Sequence, residues 1–414
     1  MAATDRAAKR RARRRLRKLR DLPWLATGIG ALAARDAAGQ TSVDSKFLFY
    51  KESGGRTQVL NPVLLLQQDL GENAGELSLL LGYDAISGAS PTGAYPTSDV
   101  TTSASGHTIA SGSFPQAQYT DARKSASLSY GRKFGAHLPS IDVSYAKEND
   151  YTARAIGLSD SWTMLHGLGT LHFGAAFSRD TVSPVQNPET NPDGLDLNYH
   201  KDENGFSLGW TQVLGERDLL DVSASLMQLS GYLTDPYKVV PIGADKSQTV
   251  PEQRPDTRSR RALVVKYGHH YLWDGALRVI YRYYNDSWSI QAHTLEVTYD
   301  QRVDSDWIIS PQVRFYTQTA ASFYASSFTV PQTYMSADYR LAPLGSILAG
   351  LTVARVIDHH LTLSLGFTYQ SQNGRDRVVP TGMLSPPEEG LIVRPVSAAD
   401  MSILTIIGGL SWRP

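Results

Sequence analysis

Between Leu277 and Asp300 the charged side chains fall on even positions. Arg278, Arg282 and Tyr284 precede a polar Asn285-Asp286-Ser287 run, and Glu296 and Asp300 follow it. The odd positions carry Leu277, Val279, Tyr281 and Tyr283, then His293, Leu295, Val297 and Tyr299. Period two is the signature of a β-strand with one apolar and one polar face. Short polar residues between two such runs suit a tight turn. Centred on Ser287, the turn would set Val279 opposite Leu295 and Arg278 opposite Glu296. Gln312, Arg314, Tyr316 and Gln318 repeat the pattern on the next candidate strand. A wall of mixed charge can act as a selectivity surface for polar solutes, or be salt-bridged structure alone. Tyr284 and Tyr316, on the same face, have the ring area to stack against a sugar.

Other constellations carry less. Residues 189–200, ETNPDGLDLNYH, place Glu189, Asn191, Asp193 and Gly194 as in a calcium loop, but His200 stands where a bidentate Glu is required and Pro192 interrupts the run. A solvated acidic loop is the expected reading. His269-His270 and His359-His360 are adjacent on strands, so their side chains point to opposite faces and cannot chelate together. His293 is the histidine placed on an apolar row. A lipid-facing hydrolase would need a serine and an orienting carboxylate or amide beside it, and no such set is identifiable. The expectation is therefore no catalytic residue, no metal and no cofactor.

The aromatics Tyr281, Tyr283, Trp288, Tyr299, Trp307, Tyr369 and Trp412 mostly cluster towards strand ends, as interfacial girdles do. The 414 residues contain no cysteine, which excludes disulfides, thiol chemistry and Cys-ligated zinc or haem attachment. No run of about eighteen apolar residues occurs, so no helix is expected to span a bilayer. The arginine-rich start, followed by LPWLATGIGALAA, has the order of a secretory signal: basic, apolar, then small residues. A disordered nucleic-acid-binding arm is the competing reading. With residues 1–39 removed as a signal, 29 basic residues remain against 37 acidic ones, and residues 40–414 form a single acidic domain with no nucleic-acid partner.

The alternation recurs along the whole chain. It gives about sixteen candidate strands: 44–52, 58–70, 75–87, 121–133, 138–147, 151–162, 169–181, 204–214, 218–231, 258–270, 275–286, 288–302, 306–320, 346–356, 360–371 and 399–412. Fourteen or eighteen are the alternatives. Only GSILAGLTVARVID has a helical propensity to compete with period two. Most strands are longer than the five or six residues usual in soluble sheets, and a tilted membrane-spanning strand needs about nine to eleven. Short connections tend to alternate with long ones at 88–120, 182–203, 232–257, 321–345 and 372–398. The expected fold is all-β, an antiparallel transmembrane barrel with its apolar face on lipid and its charged face in a wet lumen.

Three stretches, YRYYNDSWSIQAHTLEVTYDQ (281–301), GYDAISGASP (82–91) and SADYRL (336–341), resemble motifs of an uncharacterised family of bacterial outer-membrane β-barrels, a domain of unknown function. The resemblance runs from about Ser45 to the C-terminus and implies a barrel without an assigned activity. The terminal GGLSWRP is similar to the aromatic-ended last strand of such barrels, with Arg413 and Pro414 departing from it. The expected function is a porin-like channel for small polar solutes in a Gram-negative outer membrane. Its surroundings would be membrane lipid, lipopolysaccharide and the barrel-assembly machinery. A docking barrel for an export or redox partner is the alternative, and an outer-membrane hydrolase is third.

Overall fold

A computed structural model describes residues 41–71, 74–96, 101–102, 108–109, 114–184, 198–379 and 395–414. Sixteen strands close on themselves. They are β1 (Thr41–Glu52), β2 (Gln58–Asp69), β3 (Glu76–Pro91), β4 (Gln116–Gly131), β5 (Ser140–Lys147), β6 (Tyr151–Met164), β7 (Gly169–Val182) and β8 (Tyr199–Val213), and then β9 (Asp218–Gly231), β10 (Thr257–His270), β11 (Gly275–Asp286), β12 (Gln291–Arg302), β13 (Trp307–Gln318), β14 (Leu344–Val356), β15 (Leu361–Gly374) and β16 (Met401–Trp412). Each pairs antiparallel with its sequence neighbours, and β1 pairs with β16 to close the ring. Closure leaves no unpaired edge, the condition for a sheet in hydrocarbon. The segment with helical propensity, GSILAGLTVARV, is β14, because its period-two pattern matches strands on both sides.

The two ends differ. Turns at 70–75, 132–139, 165–168, 214–217, 271–274, 303–306 and 357–360 are short, and the long connections, 92–115, 183–198, 232–256, 319–343 and 375–400, all lie at the other end. The 232–256 connection forms a hairpin of its own, Val239–Ile242 paired with Gln248–Pro251. Residues 1–39, assigned to a signal, and most of the calcium-like loop 189–200 lie outside the described residues.

The barrel has its apolar rows outside. Leu128, Val143, Ile156 and Phe177 sit opposite one another across β4–β7, and all four are exposed, Val143 by 54%. Leu295, Phe315 and Ile347 form a second such row, with Ile347 exposed by 55%. In water a continuous belt of this kind would drive association, whereas in lipid it is solvated.

Candidate functional site

All eight residues assigned to the lumen from the sequence share the face opposite that belt. Tyr281 and Leu295 are paired and exposed on the apolar side, so Arg278, Arg282, Tyr284, Glu296 and Asp300 alternate onto the other. Across β12–β13, Thr294 pairs with Tyr316, Glu296 with Arg314 and Thr298 with Gln312. The eight share one side of the ring, while the hairpin register differs from the one expected. Arg278 lies opposite Thr298, and Val279 opposite Val297. The turn is centred one residue later because the Asp286 carboxylate accepts the amides of Trp288 and Ile290, both at 3.0 Å. Moving the centre by one residue moves each partner by two, so no side chain changes face. Arg278 finds its carboxylate diagonally, in Asp300 at 3.4 Å.

The girdle residues divide. Tyr299, Trp307 and Trp412 lie on the apolar face towards the short-turn end. There Trp273 donates to the Tyr299 hydroxyl at 2.8 Å and stacks on Tyr271, and Arg355 lies 5.2 Å from the centre of the Trp307 ring. Trp162 and Trp210 join them on the same face, on β6 and β8. Tyr281, Tyr283 and Tyr369 lie on the apolar face farther from that end. Trp288 is a correction: it is 3% exposed, inside a cluster with Ile290, Ala321, Phe323 and Leu341. Its indole donates to the Thr257 carbonyl at 2.9 Å, and its ring meets Phe323 edge-on. An aromatic at a strand end looks the same in sequence whether it faces lipid or a loop core. His293 bonds the Tyr281 hydroxyl at 2.7 Å.

Two long loops fold together across the mouth, an arrangement that no local pattern in the sequence announces. Gln253 and Met335 exchange backbone hydrogen bonds of 3.0 and 2.8 Å, joining the 232–256 and 319–343 connections. The first of these then crosses to the far wall. Lys238 donates to the Ser90 hydroxyl at 2.7 Å and to the Pro91 carbonyl at the end of β3, although its loop is rooted on β9 and β10. In a ring of sixteen these positions are nearly opposite. Gly93 lets the backbones meet there: it has φ +99°, and a Cβ would collide with the Val239 carbonyl. The second loop is tied to the inner wall by Gln318, whose amide donates to the Arg340 and Ala342 carbonyls at 3.1 and 2.7 Å.

At the junction lies a buried ionic network built on SADYRL. Asp338, 1% exposed, accepts from Arg254 Nη2 and Arg340 Nε, both at 2.8 Å, and caps the 3-10 turn Tyr339–Leu341 through the Arg340 amide. Arg254 also meets Glu252 at 2.6 Å, and Arg340 meets Asp235 at 2.6 Å. The Ser336 hydroxyl donates to Glu252 at 2.5 Å. Burial alone would push the Asp338 carboxyl up, but Arg340, Arg254 and Lys238 outweigh it and hold it well below the ordinary carboxylate range. Glu252 goes the other way: burial raises it, and Arg254 and Ser336 only partly compensate. Burial, helped by Glu52, lifts the Tyr339 phenol to about 12.

Beneath this bridge a cavity of about 490 Å3 is lined by Arg254, Arg258, Arg260, Arg282, Arg340 and Asp338, together with Tyr284 and Tyr316 of the inner wall. Lower on the same face a polar chain crosses five strands. It runs from Ser161 to His172 at 2.9 Å, to Thr211 at 3.1 Å, then to Asp221 at 2.8 Å and to Lys266 at 3.3 Å. Period two could have named these residues; adjacency across strands could not be read. The inner face is not uniformly polar, since Leu80 lies on it, 41% exposed.

A closed antiparallel ring with an exposed apolar belt, a charged inner wall and all its long loops at one end defines a transmembrane β-barrel. The chain belongs to the family described as "Protein of unknown function (DUF3570)", whose model matches residues 25–386. No curated protein matches it in sequence. Among solved structures it is similar to the siderophore receptor PirA from Pseudomonas aeruginosa, at 11% identity and a TM-score of 0.42, covering 91% of this chain and 62% of that one. The chain thus spans less than two thirds of the receptor's length. It is also similar to a bacterial polysaccharide outer membrane secretin, at 8% identity and a TM-score of 0.48, covering 92% and 100% of the two chains. An anion-selective porin from Comamonas acidovorans shows 13% identity and a TM-score of 0.38, covering 91% and 98%.

Proposed function

We propose that the protein is a porin-like channel of a bacterial outer membrane that passes small polar solutes. The observation that carries this is the charged and hydroxyl-rich inner wall of a sixteen-stranded ring, a size at which barrels enclose water. The apolar belt calls for lipid around it, with lipopolysaccharide in the outer leaflet. Residues 1–39 act as the export signal, and the barrel-assembly machinery inserts the chain. Steady single-channel openings after reconstitution in planar bilayers are the expected result. A folded, heat-modifiable barrel that stays silent would refute the channel, and recovery as a soluble, heat-insensitive protein would refute the location. A second reading is favoured by the loops that cross the mouth: they narrow the opening and present a built surface on which a partner of an export or redox system could dock. A silent barrel is the outcome that reading expects.

A further inference from the structure

We propose that the cavity beneath the mouth bridge is a binding site for small oxyanions, with phosphate-bearing solutes the class it takes. This deepens the channel reading and rests on it only for transport; the site itself stands on the geometry of the inner wall. Five of the six arginines lining the cavity fall into two groups; the sixth, Arg261, alternates onto the outward face of β10 with Leu263. Arg254 and Arg340 are neutralised by Glu252, Asp338 and Asp235, and Arg258 by Asp286, with Nε at 2.9 Å. Arg260 and Arg282 have no ion pair among the described residues.

The carboxylates nearest Arg260 are already committed. Asp286, opposite it across the sheet, is held by Arg258 and is fully buried. Glu203 is held by Lys201 at 2.8 Å. Arg260 Nε is buried without a hydrogen-bond partner in the structure. Among the described residues its side chain makes one weak contact of that kind, 3.9 Å from Nη1 to the Met227 sulfur. A buried guanidinium donor without an acceptor is costly, and an oxyanion in the cavity supplies one. Arg282 lies on the neighbouring strand and the same face, two inward positions nearer the short-turn end, exposed to the cavity. The Tyr284 hydroxyl is turned away to Asp286 at 2.8 Å, and its ring, 5.8 Å from the Arg282 guanidinium carbon, lines the same cavity as the two cations.

Two planar, uncompensated guanidinium groups flanking one space suit a doubly charged tetrahedral oxyanion, which each can grip with paired N–H donors. Below them the positive charge continues but is balanced. Arg314 faces Glu296, and Arg278 pairs with Asp300. The cavity thus holds two cations without an ion pair among the described residues, and an anion would be held there before passing on.

The test is calorimetric titration of the full-length folded barrel in detergent with inorganic phosphate at low ionic strength. Sodium sulfate and sodium acetate serve as comparison anions. Phosphate binding that falls at least about tenfold in R260Q/R282Q supports the site. It must also persist in R179Q, an exposed arginine of β7 outside the cavity. Heat-modifiability on gels confirms that each variant is folded. No heat of binding in the wild type, or equal binding by wild type and R260Q/R282Q, overturns the proposal. Acetate binding as tightly as phosphate overturns the assignment of phosphate as the class. Should R260Q/R282Q fail to fold, the single variants R260K and R282K replace it, since lysine keeps the charge but loses the paired donors; unchanged binding in both overturns the proposal. A silent bilayer would refute the channel while leaving these titrations to decide the site.

Discussion

Replacing Asp338 with asparagine keeps the shape of a buried side chain and removes its charge. Arg254, Arg340 and Lys238 are then left facing a neutral amide. Removing one partner of a buried ion pair costs about 3–5 kcal/mol, because the remaining charge has been taken from water without compensation. Here Arg254 retains Glu252 and Arg340 retains Asp235, both at 2.6 Å, which places the cost at the lower end, about 3 kcal/mol. That cost falls on the docking of the two loops, since the ion-paired groups of the network all come from those loops. Each 1.4 kcal/mol is tenfold in an opening equilibrium, so the docked bridge should open about a hundredfold more often.

The amides of Gln253 and Met335, which bond each other's carbonyls, report that opening directly. Their hydrogen exchange in detergent-solubilised D338N should quicken by about two orders of magnitude. Amides in the β11–β12 ladder, such as the paired Arg282 and Thr294, should be unaffected. Unchanged exchange at Gln253 and Met335 would refute the view that Asp338 holds the bridge. Equal acceleration in the β11–β12 ladder would show that the loops and the barrel are a single cooperative unit.

The opening hairpin separates the two faces of the wall. Arginine at Val279 or Leu295 should impair membrane assembly, at about 2–4 kcal/mol for a lipid-facing charge near the midplane, whereas R278E/R282E should assemble and shift reversal potentials towards cations; better assembly of V279R than of R278E would invert the faces. Trp288→Ala removes the ring packed on Phe323 and Arg258 and should cost about 3–5 kcal/mol locally, seen as faster proteolytic cleavage of the long loops with the barrel core intact; cleavage at the wild-type rate would place Trp288 outside the loop core. Burial raises Glu252, so it takes up its proton before an ordinary glutamate as pH falls; Arg254 then loses its partner's charge, and selectivity should move towards anions on mild acidification, an effect that E252Q should reproduce at neutral pH and abolish thereafter. Asp338 has the opposite sign. Its depressed value contributes docking stability fully above the ordinary carboxylate range, about pH 4, and loses it only as pH falls through the folded-state value, so bridge amides should stay protected at pH 5 and lose protection only well below pH 4.

What the sequence disclosed follows from what is local. Period two is a property of consecutive residues, so the strands, their number and the face each side chain takes could be read from rows such as Leu361, Leu363, Leu365 and Phe367. Register depends on the turn, and one carboxylate accepting two backbone amides, as Asp286 does from Trp288 and Ile290, leaves no trace in the alternation. The bridge was hidden for a stronger reason. Its contacts join Lys238 to Ser90, 148 residues apart, and Arg254 to Asp338, 84 apart, within segments whose Pro, Gly and polar content reads simply as loop. The stretch SADYRL stood out only as a motif without a role. Its buried serine and aspartate supply the role.

The division of the arginines lets a wide barrel carry both a bridged mouth and uncompensated charge on its inner wall. A chain crossing the mouth must bury backbone and charged side chains away from the wall, which requires each buried charge to have a partner; Arg254 and Arg340 accordingly meet carboxylates that come from the loops themselves. Charges compensated in this way fix the geometry of the bridge but contribute little net field to the space below. Arg260 and Arg282 belong to the strands, whose positions the closed ladder fixes regardless of the loops, so the ladder bears the cost of leaving them uncompensated. Field and framework are thus carried by different residues. D338N should loosen the bridge while leaving phosphate affinity within a few-fold of wild type, and R260Q/R282Q should abolish affinity while leaving the exchange of Gln253 and Met335 unchanged. If either variant altered both readouts strongly, the wall and the bridge would be one coupled site, and the cavity charge would have to be assigned to the loops as well as to the strands.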